Sequence, residues 1–205
     1  MPVNVNMGGN IMNAIIKNIK NRRSIRRYKT KQILDSELMS ILEAGRYAPS
    51  GGNNQTTHLI VIQKQEVLED LKKLVEQAFS QMTLEDGMYK SLQASIKASI
   101  KGGYNFFYNA PTLVVVANQR GYGNAMADSA CVLENMMLAA SSLNVASCWI
   151  NQLHWLDENA EIKGYMQQLG LLENETICGG LSLGYADGEP SLPIKRVGNQ
   201  VTFIK

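Results

Sequence analysis

Two neighbouring apolar segments within residues 112–143 constrain the fold of this 205-residue chain most strongly. The sequence TLVVVA at 112–117 is an unbroken apolar run, which is typical of a strand covered on both faces. The helix predicted over residues 124–143 is apolar nearly all round, so protein must cover both of its sides. A strand and a helix buried on every side require more than one layer of structure. We therefore predict a layered α/β or α+β domain.

Strands and helices are predicted to alternate along the rest of the chain. Because there are no repeats, low-complexity tracts or interior linkers, residues 12–205 are predicted to form a single domain. Residues 1–11 are polar and rich in Gly and Asn, and we expect them to form a flexible N-terminal arm. The other predicted strands lie at residues 58–63, 145–150, 176–185 and 201–204, and the other predicted helices at 13–21, 35–48, 67–78, 92–100 and 157–168.

Composition and charge exclude several classes of function. The formal net charge of +2 is too small to indicate nucleic acid or an acidic membrane as a partner. No apolar run reaches the roughly 18 residues that a membrane-spanning helix needs. The cysteines Cys131, Cys148 and Cys178 are odd in number and form no CxxC pair, and the two histidines have no metal-ligand spacing with them. We therefore expect no metal site, and reduced thiols in a cytoplasmic protein.

A basic segment, RRSIRR at residues 22–27, is the sharpest local feature of the sequence. Guanidinium groups bind phosphate through two parallel hydrogen bonds, and a serine hydroxyl adds a neutral donor. Placed after a short predicted helix, the segment suits one phosphate monoester. A solvated basic turn is an equally open interpretation, because runs of charge usually face water.

Three further segments offer places for a ligand. The loop APSGGNNQ at residues 48–55 has exposed backbone and amide donors, although a plain helix-to-strand connection uses the same residue types. SCWINQ at residues 147–152 lies at the end of a predicted strand, where ligands collect in α/β folds. PIKR at residues 193–196 adds a second basic cluster. By contrast, GYGNAM at residues 121–126 is only loosely like a dinucleotide fingerprint, because the acidic residue expected further on is missing, and we reject a Rossmann site.

Taken in order, RRSIR, APSGGNNQ, SCWINQ and GLSLGYADGEPSLPIKR resemble the motifs of the FMN-dependent nitroreductase family, from about Met12 to the C-terminus. The resemblance implies that the first segment holds the FMN phosphate, that the second and third line the isoalloxazine ring, and that the fourth returns a basic residue to the phosphate. The residues implied for FMN are Arg22, Arg23, Ser24, Arg26, Pro49, Ser50, Gly51, Asn53, Gln55, Cys148, Trp149, Ile150, Asn151, Lys195 and Arg196.

The chain departs from the family's pattern at two places. Gln55 is followed by Thr56-Thr57, where the family usually has Pro-Trp. Many members place an acidic residue and a glycine near the flavin N5, where this chain has Ile150-Asn151. The group that contacts N5 is therefore left open.

The fold that the resemblance implies is an α+β sandwich, a mixed β-sheet flanked by helices, in an intertwined homodimer with FMN at the interface. Met136 and Met137, on adjacent faces of the long apolar helix, favour a dimer independently, because one small core does not readily cover both.

The activity that the resemblance implies is ping-pong hydride transfer. NADH or NADPH reduces FMN and leaves, and a nitroaromatic or quinone-type acceptor then enters and is reduced. No catalytic side chain is required, because the cofactor carries the chemistry. Two alternatives stay open: a specialised relative that fragments the flavin or removes halide from an aromatic, and a flavin-binding module that does not turn over.

The aromatic run Phe106-Phe107-Tyr108, just before the buried strand, is predicted to form a wall over the flavin that limits the size of the acceptor. Packing of one or two of these rings into the core is an equally open alternative, because aromatic side chains bury well.

Overall fold

An antiparallel β-sheet lies at the centre of the structure, a computed structural model that describes residues 13–205. Within these residues the strands are β1 (His58–Ile62), β2 (Thr112–Gln119), β3 (Ala146–Ile150) and β4 (Glu175–Gly184). The α-helices of the described residues are α1 (Ala14–Asn21), α2 (Asp35–Arg46), α3 (Gln65–Ser80), α4 (Lys90–Lys101), α5 (Ala125–Ser142), α6 (Gln152–Trp155) and α7 (Ala160–Gln168). Each of these except the short α6 was predicted from the sequence.

The strand order is β1-β2-β4-β3, and all three pairings are antiparallel. Among the described residues, parallel pairing is limited to one bridge, between Ser24 and Ser147 at the outer edge of β3. The predicted α+β sandwich is therefore confirmed. The sheet predicted to be mixed is, within this chain, an antiparallel sheet with a single parallel bridge.

The strand β2 shows why TLVVVA has no polar alternation. Its residues Leu113, Val115 and Ala117 pack into a core with α3, α4, α6 and α7, whereas Val114 and Val116 pack into a second core with α2 and α5. Successive side chains point to opposite faces of a strand. Because helices cover both faces of the sheet, every one of these positions is apolar.

Helix α5 packs against the sheet on one side and against α2 on the other. Met136 and Met137 are 0% and 3% exposed within the single chain. Gly45 of α2 makes room for this bulk, because a Cβ there would lie 2.8 Å from Met136 Cγ. The prediction that these two methionines need a second subunit to cover them is wrong.

The C-terminal residues 201–204, predicted as a strand, form no strand in this chain. An isolated strand leaves its backbone unpaired, and none of the four sheet strands pairs with this segment. The predicted N-terminal arm, residues 1–11, lies outside the described residues. In the part of the chain that is described, no helix combines the length and the apolar character needed to cross a membrane.

The helix predicted over residues 157–168 begins later, at Ala160, and its cap is Asn159, whose side chain accepts hydrogen bonds at the start of that helix. The Asp157 carboxylate lies before the helix, is buried, and joins β4 to Arg120, the residue that follows β2. It accepts from the Ile177 amide at 2.8 Å and the Thr176 hydroxyl at 2.6 Å, and it pairs with Arg120 at 2.9 Å. These partners satisfy a charge that would otherwise be costly to bury.

We expect Gly45→Ala and Gly164→Ala to change the free energy of unfolding in opposite directions. At position 45 the added methyl group crowds Met136 and should cost about 1–3 kcal/mol, the usual range for overpacking. At Gly164 in α7 nothing lies within 4 Å of the added Cβ, so alanine should stabilise by roughly 0.5–1 kcal/mol. Urea denaturation measures both changes, and equal effects in the two variants would contradict a close contact between α2 and α5.

Candidate functional site

The basic segment at residues 22–27 lies along the outer edge of β3. Ser24 forms the parallel bridge with Ser147, and the Ile25 amide donates to the Ser147 carbonyl at 2.9 Å. Because the two segments run in the same direction, the first two arginines lie beside the start of β3 and Arg26 lies toward its end. The sequence motif thereby forms a row of cations along one edge of β3. We call Arg22, Arg23 and Arg26 the arginine row.

The first two arginines line a cavity of about 640 Å³, which we call the anion cavity. Its basic side chains are Lys17, Arg22 and Arg23. Arg22 Nε and Arg23 Nη2 are buried and have no hydrogen-bond partner among the described residues. Glu134 Oε1 lies 3.7 Å from Arg22 Nε, within ion-pair range but too far for a hydrogen bond. Buried donors without acceptors are costly, so the cavity suits an anionic ligand.

A smaller cavity of about 240 Å³, the ring cavity, lies at the other end of the arginine row. The Arg26 guanidinium lies 5.7 Å from the centre of the Tyr108 ring at its edge. The other lining residues come from β3, α6 and the start of α4: Tyr89, Ser91, Trp149, Ile150, Asn151, Gln152 and Trp155. Aromatic walls with one cation at the edge suit a flat ring that carries partial negative charge.

Cys148 lies on β3 between the residues that line the two cavities, but it lines neither of them. The side chain is 1% exposed, and burial raises the pKa of its thiol although the charge of Arg26 opposes this. A thiol that stays neutral is neither a nucleophile nor an anion site. The prediction that Cys148 faces a ligand is corrected: its thiol lies beneath the arginine row, next to the Ser24 hydroxyl.

The loop at residues 48–55 is fixed to the start of α5. The Gly51 amide donates to both carboxylate oxygens of Asp128 at 3.2 Å, and the Tyr122 hydroxyl donates to Asp128 at 3.0 Å. A side chain at Gly51 would overlap Asn124 and lie 2.6 Å from the Tyr122 hydroxyl. Asp128 and Tyr122, the latter from the segment GYGNAM, thus anchor this loop.

The structure brings residues 22–26 and 147–151 together but holds the loop elsewhere. The loop is attached at Asp128, whereas the anion cavity includes Ser141 at the other end of α5. At about 1.5 Å per residue, these two points are roughly 20 Å apart along the helix. The predicted loop residues Pro49, Ser50, Gly51, Asn53 and Gln55 therefore do not meet the arginines within one chain.

The C-terminal segment approaches the arginine row at one point. Arg23 Nε donates to the Ser191 carbonyl at 3.2 Å, and Pro190 lines the anion cavity. Lys195 and Arg196 follow in an exposed stretch, and neither forms a hydrogen bond or ion pair with another described residue. A single chain thus brings the backbone of this segment to the cavity, but not its two basic side chains.

Phe106 and Phe107 are 0% and 1% exposed and pack edge-to-face in the core beside α3 and α4. Their predicted role as a pocket wall is wrong, and within that run Tyr108 lines the ring cavity. Tyr89 and Trp155, whose rings meet edge-to-face with centroids 6.0 Å apart, provide the aromatic wall instead. Neither stood out in the sequence, because Tyr89 lies just before the start of α4 and Trp155 lies in a helix of only four residues.

Comparison with known proteins gives consistent matches over most of the chain. The model of the Nitroreductase family matches residues 19–185. The crystal structure of a nitroreductase from Bacteroides fragilis with bound FMN is 39% identical, covers 94% of this chain and 100% of its own, and superposes with a TM-score of 0.83. An FMN-bound nitroreductase from Desulfitobacterium hafniense is 25% identical, with 95% and 100% coverage and a TM-score of 0.81. The NADPH-flavin oxidoreductase of Vibrio harveyi is 25% identical over 88% of this chain and 69% of its own.

We expect Asp128→Asn to loosen the loop at residues 48–55. The amide keeps the shape of the carboxylate but replaces one acceptor with a donor, so a bond from Gly51 or Tyr122 is lost. The cost should be about 1–3 kcal/mol of stability, as for other buried groups left unsatisfied. Hydrogen exchange at Gly51 should accelerate in this variant. Asp70→Asn, which alters an exposed surface ion pair, is the matched control; equal exchange in both variants would rule out the anchoring role.

Proposed function

Because the chain belongs to the nitroreductase family, we propose that it is an FMN-dependent oxidoreductase. It takes electrons from NADH or NADPH and reduces nitroaromatic or quinone-type acceptors. The single observation that carries the proposal is the arginine row, which joins an anion cavity to an aromatic cavity along β3. An FMN-bound nitroreductase and an NADPH-flavin oxidoreductase among its relatives support the cofactor and the donor.

FMN fits the two cavities in one orientation. Its phosphate takes the anion cavity, where Arg22 and Arg23 have buried nitrogens without acceptors. Its ring takes the ring cavity beside Arg26 and Trp149. At about 3.3 Å per residue of extended chain, Arg22 and Arg26 are roughly 13 Å apart, which leaves room for the ribityl chain between phosphate and ring.

Bound FMN supplies hydride transfer, which leaves the protein to bind, orient and exclude water. Arg26 places positive charge beside the ring, where negative charge develops on reduction. Arg26 keeps this charge although it is partly buried, because a guanidinium group does not lose its proton in proteins. A ping-pong order, in which the donor leaves before the acceptor enters, is part of this proposal.

We propose that a second copy of the chain completes the site. One chain holds its anion cavity and its loop at opposite ends of α5, roughly 20 Å apart by helix rise. A second chain whose α5 runs antiparallel would set its loop, residues 48–55, against the first chain's arginines. Exposed apolar side chains at Ile15, Ile16 and Ile19 of α1, which packs on α5, favour such an interface.

The C-terminal segment supports an intertwined arrangement. Residues 187–205 are all exposed in the single chain. Their large apolar side chains are Leu192, Ile194, Val197, Val201, Phe203 and Ile204. An apolar arm of this length gains stability by lying on another copy, where residues 201–204 would find a strand partner and Lys195 and Arg196 would reach a phosphate.

A cytoplasmic location is also proposed. Cys131, Cys148 and Cys178 are all free thiols, which a reducing compartment maintains.

Arg22→Ala should weaken FMN binding by about 10- to 150-fold, because a charge-assisted contact contributes about 1.5–3 kcal/mol. The control is Arg27→Ala in the same segment, since Arg27 is largely exposed and pairs with Asp187 away from both cavities. Quenching of FMN fluorescence measures both affinities. Purified protein that is colourless and oxidises neither NADH nor NADPH would overturn the proposed function, and unchanged binding by Arg22→Ala would overturn this phosphate site.

Cys131→Arg should separate the dimer and release FMN together, because this exposed position on α5 lies near the middle of the proposed interface. Gln168→Arg places the same charge on an exposed position of α7, across the sheet, and should leave both properties unchanged. Analytical ultracentrifugation with detection of flavin absorbance measures mass and cofactor together. A flavin-bound monomer at nanomolar concentration would contradict the shared site.

A further inference from the structure

The orientation of the Asn151 side chain in the ring cavity is fixed by Trp149. The indole Nε1 of Trp149 donates to Asn151 Oδ1 at 2.7 Å. An indole N–H can only donate, so the atom that it meets must be the amide oxygen. The Nδ2 group, with two N–H donors, is thereby the end of Asn151 left for other partners, and no described residue accepts a hydrogen bond from it.

The neighbouring strand leaves space for this pair of side chains. Gly179 of β4 lies beneath them, and a Cβ at this position would lie 3.1 Å from Trp149 Nε1 and 3.6 Å from Asn151 Oδ1. The same Cβ would lie 3.0 Å from a methyl group of Leu133 on α5. The absence of a side chain at position 179 therefore allows the indole and the amide to lie against the sheet between α5 and the ring cavity.

The backbone donor of the same residue is already used. The Asn151 amide N–H donates to the Gln152 side-chain oxygen at 3.1 Å. Gln152 is buried, and its own Nε2 donates to the Tyr104 hydroxyl at 2.9 Å, which lies 2.8 Å from the Ser95 hydroxyl. This network holds the Gln152 oxygen on the Asn151 amide, so the main chain at 151 has no N–H to offer the cavity.

Resting on the proposed function, we propose that Asn151 Nδ2, locked by Trp149 over Gly179, is the hydrogen-bond donor to N5 of the flavin ring. The position of Arg26 decides which edge of the flavin ring Asn151 meets. A cation belongs at the pyrimidine edge, where negative charge gathers on reduction. The neutral amide donor then lies at N5, which accepts a hydrogen bond only in the oxidised ring and carries a hydrogen itself once reduced.

This assignment makes Asn151 a residue that favours oxidised over reduced FMN. Removing the donor should weaken binding of the oxidised form more than binding of the reduced form. The midpoint potential of the bound cofactor should therefore rise. A residue that merely supports the fold would lower both affinities alike and leave the potential where it was.

The test uses full-length protein loaded with FMN, with the affinity for oxidised FMN and the midpoint potential as readouts. Asn151→Leu keeps the size of the side chain and removes the donor. We expect the ratio of oxidised to reduced affinity to fall about tenfold, a rise of roughly 30 mV for a two-electron couple. Trp149→Phe keeps an aromatic ring but frees the amide to rotate, and should shift the potential in the same direction. Asn174→Leu, at an exposed position five residues before Gly179, is the matched control and should shift nothing.

Each outcome is decisive. A rise in Asn151→Leu and Trp149→Phe with none in the control supports the assignment. A fall in the potential would place the amide at the pyrimidine edge and overturn it, as would an unchanged potential in both variants. Wild-type protein that binds no FMN would instead overturn the proposed function. If Asn151→Leu fails to fold, Trp149→Phe and Gly179→Ala, which crowds the same pair, decide the question by the same readouts.

Discussion

The packing of α5 against the sheet on one side and against α2 on the other is the constraint on which the rest of the structure depends. The helix covers one face of the sheet through Leu133 and Met136, and it carries the attachments of both halves of the site. Near its C-terminal end the Leu138 carbonyl accepts from Asn18 at 2.8 Å, which fixes α1 just before the arginine row. Near its N-terminal end Asp128 holds the loop. Because a helix packed this tightly neither slides nor bends easily, the separation between the two halves is fixed.

The secondary structure could be predicted closely from the sequence because the burial of a helix or strand face produces a periodic pattern of apolar residues. In β2 the usual alternation of apolar and polar residues is absent because helices cover both faces, and the unbroken apolar sequence TLVVVA is the direct result. Whether a strand runs parallel or antiparallel to its neighbour produces no such pattern in the sequence. An unbroken apolar run is commonest in parallel sheets, whereas here it belongs to the central antiparallel pairings with β1 and β4. The wrong prediction of a strand at residues 201–204 has the same cause, because an apolar strand pattern does not show which strand it would pair with.

The site was predicted in part. Features that depend on consecutive residues were predicted, whereas features that depend on contacts between residues distant in the sequence were not. The arginine row could be predicted because its chemistry lies in consecutive residues, and one bridge to Ser147 suffices to align it. Phe106 and Tyr89 could not be told apart, because nothing local distinguishes an aromatic that enters the core from one that faces a cavity. Phe106 is in the core because it packs beside α3 and α4, and Tyr89 faces the cavity because its ring packs against Trp155. Lys17 was missed because one lysine on a short helix looks like any solvated charge.

Three glycines show how the absence of a side chain specifies the geometry around α5. Gly45 leaves room for Met136, Gly51 for the Tyr122 hydroxyl, and Gly179 for the indole of Trp149. None of the three has the positive φ that usually explains a glycine, so each is required by its neighbour and not by its own backbone.

This dependence bears on how the chain's departures from the family's pattern should be understood. Asn151 belongs to the stretch Ile150-Asn151, which stands where many members have an acidic residue and a glycine, and taken alone it is a change of one side chain. In the structure it forms a unit with Trp149, which fixes its amide, and with Gly179, which gives both of them space. A carboxylate at 151 could still accept from the indole, but it would offer the cavity no donor. The residues at 149, 151 and 179 therefore define one arrangement of the ring cavity, and a change at any one of them would alter the donor at 151, its orientation or the space for it.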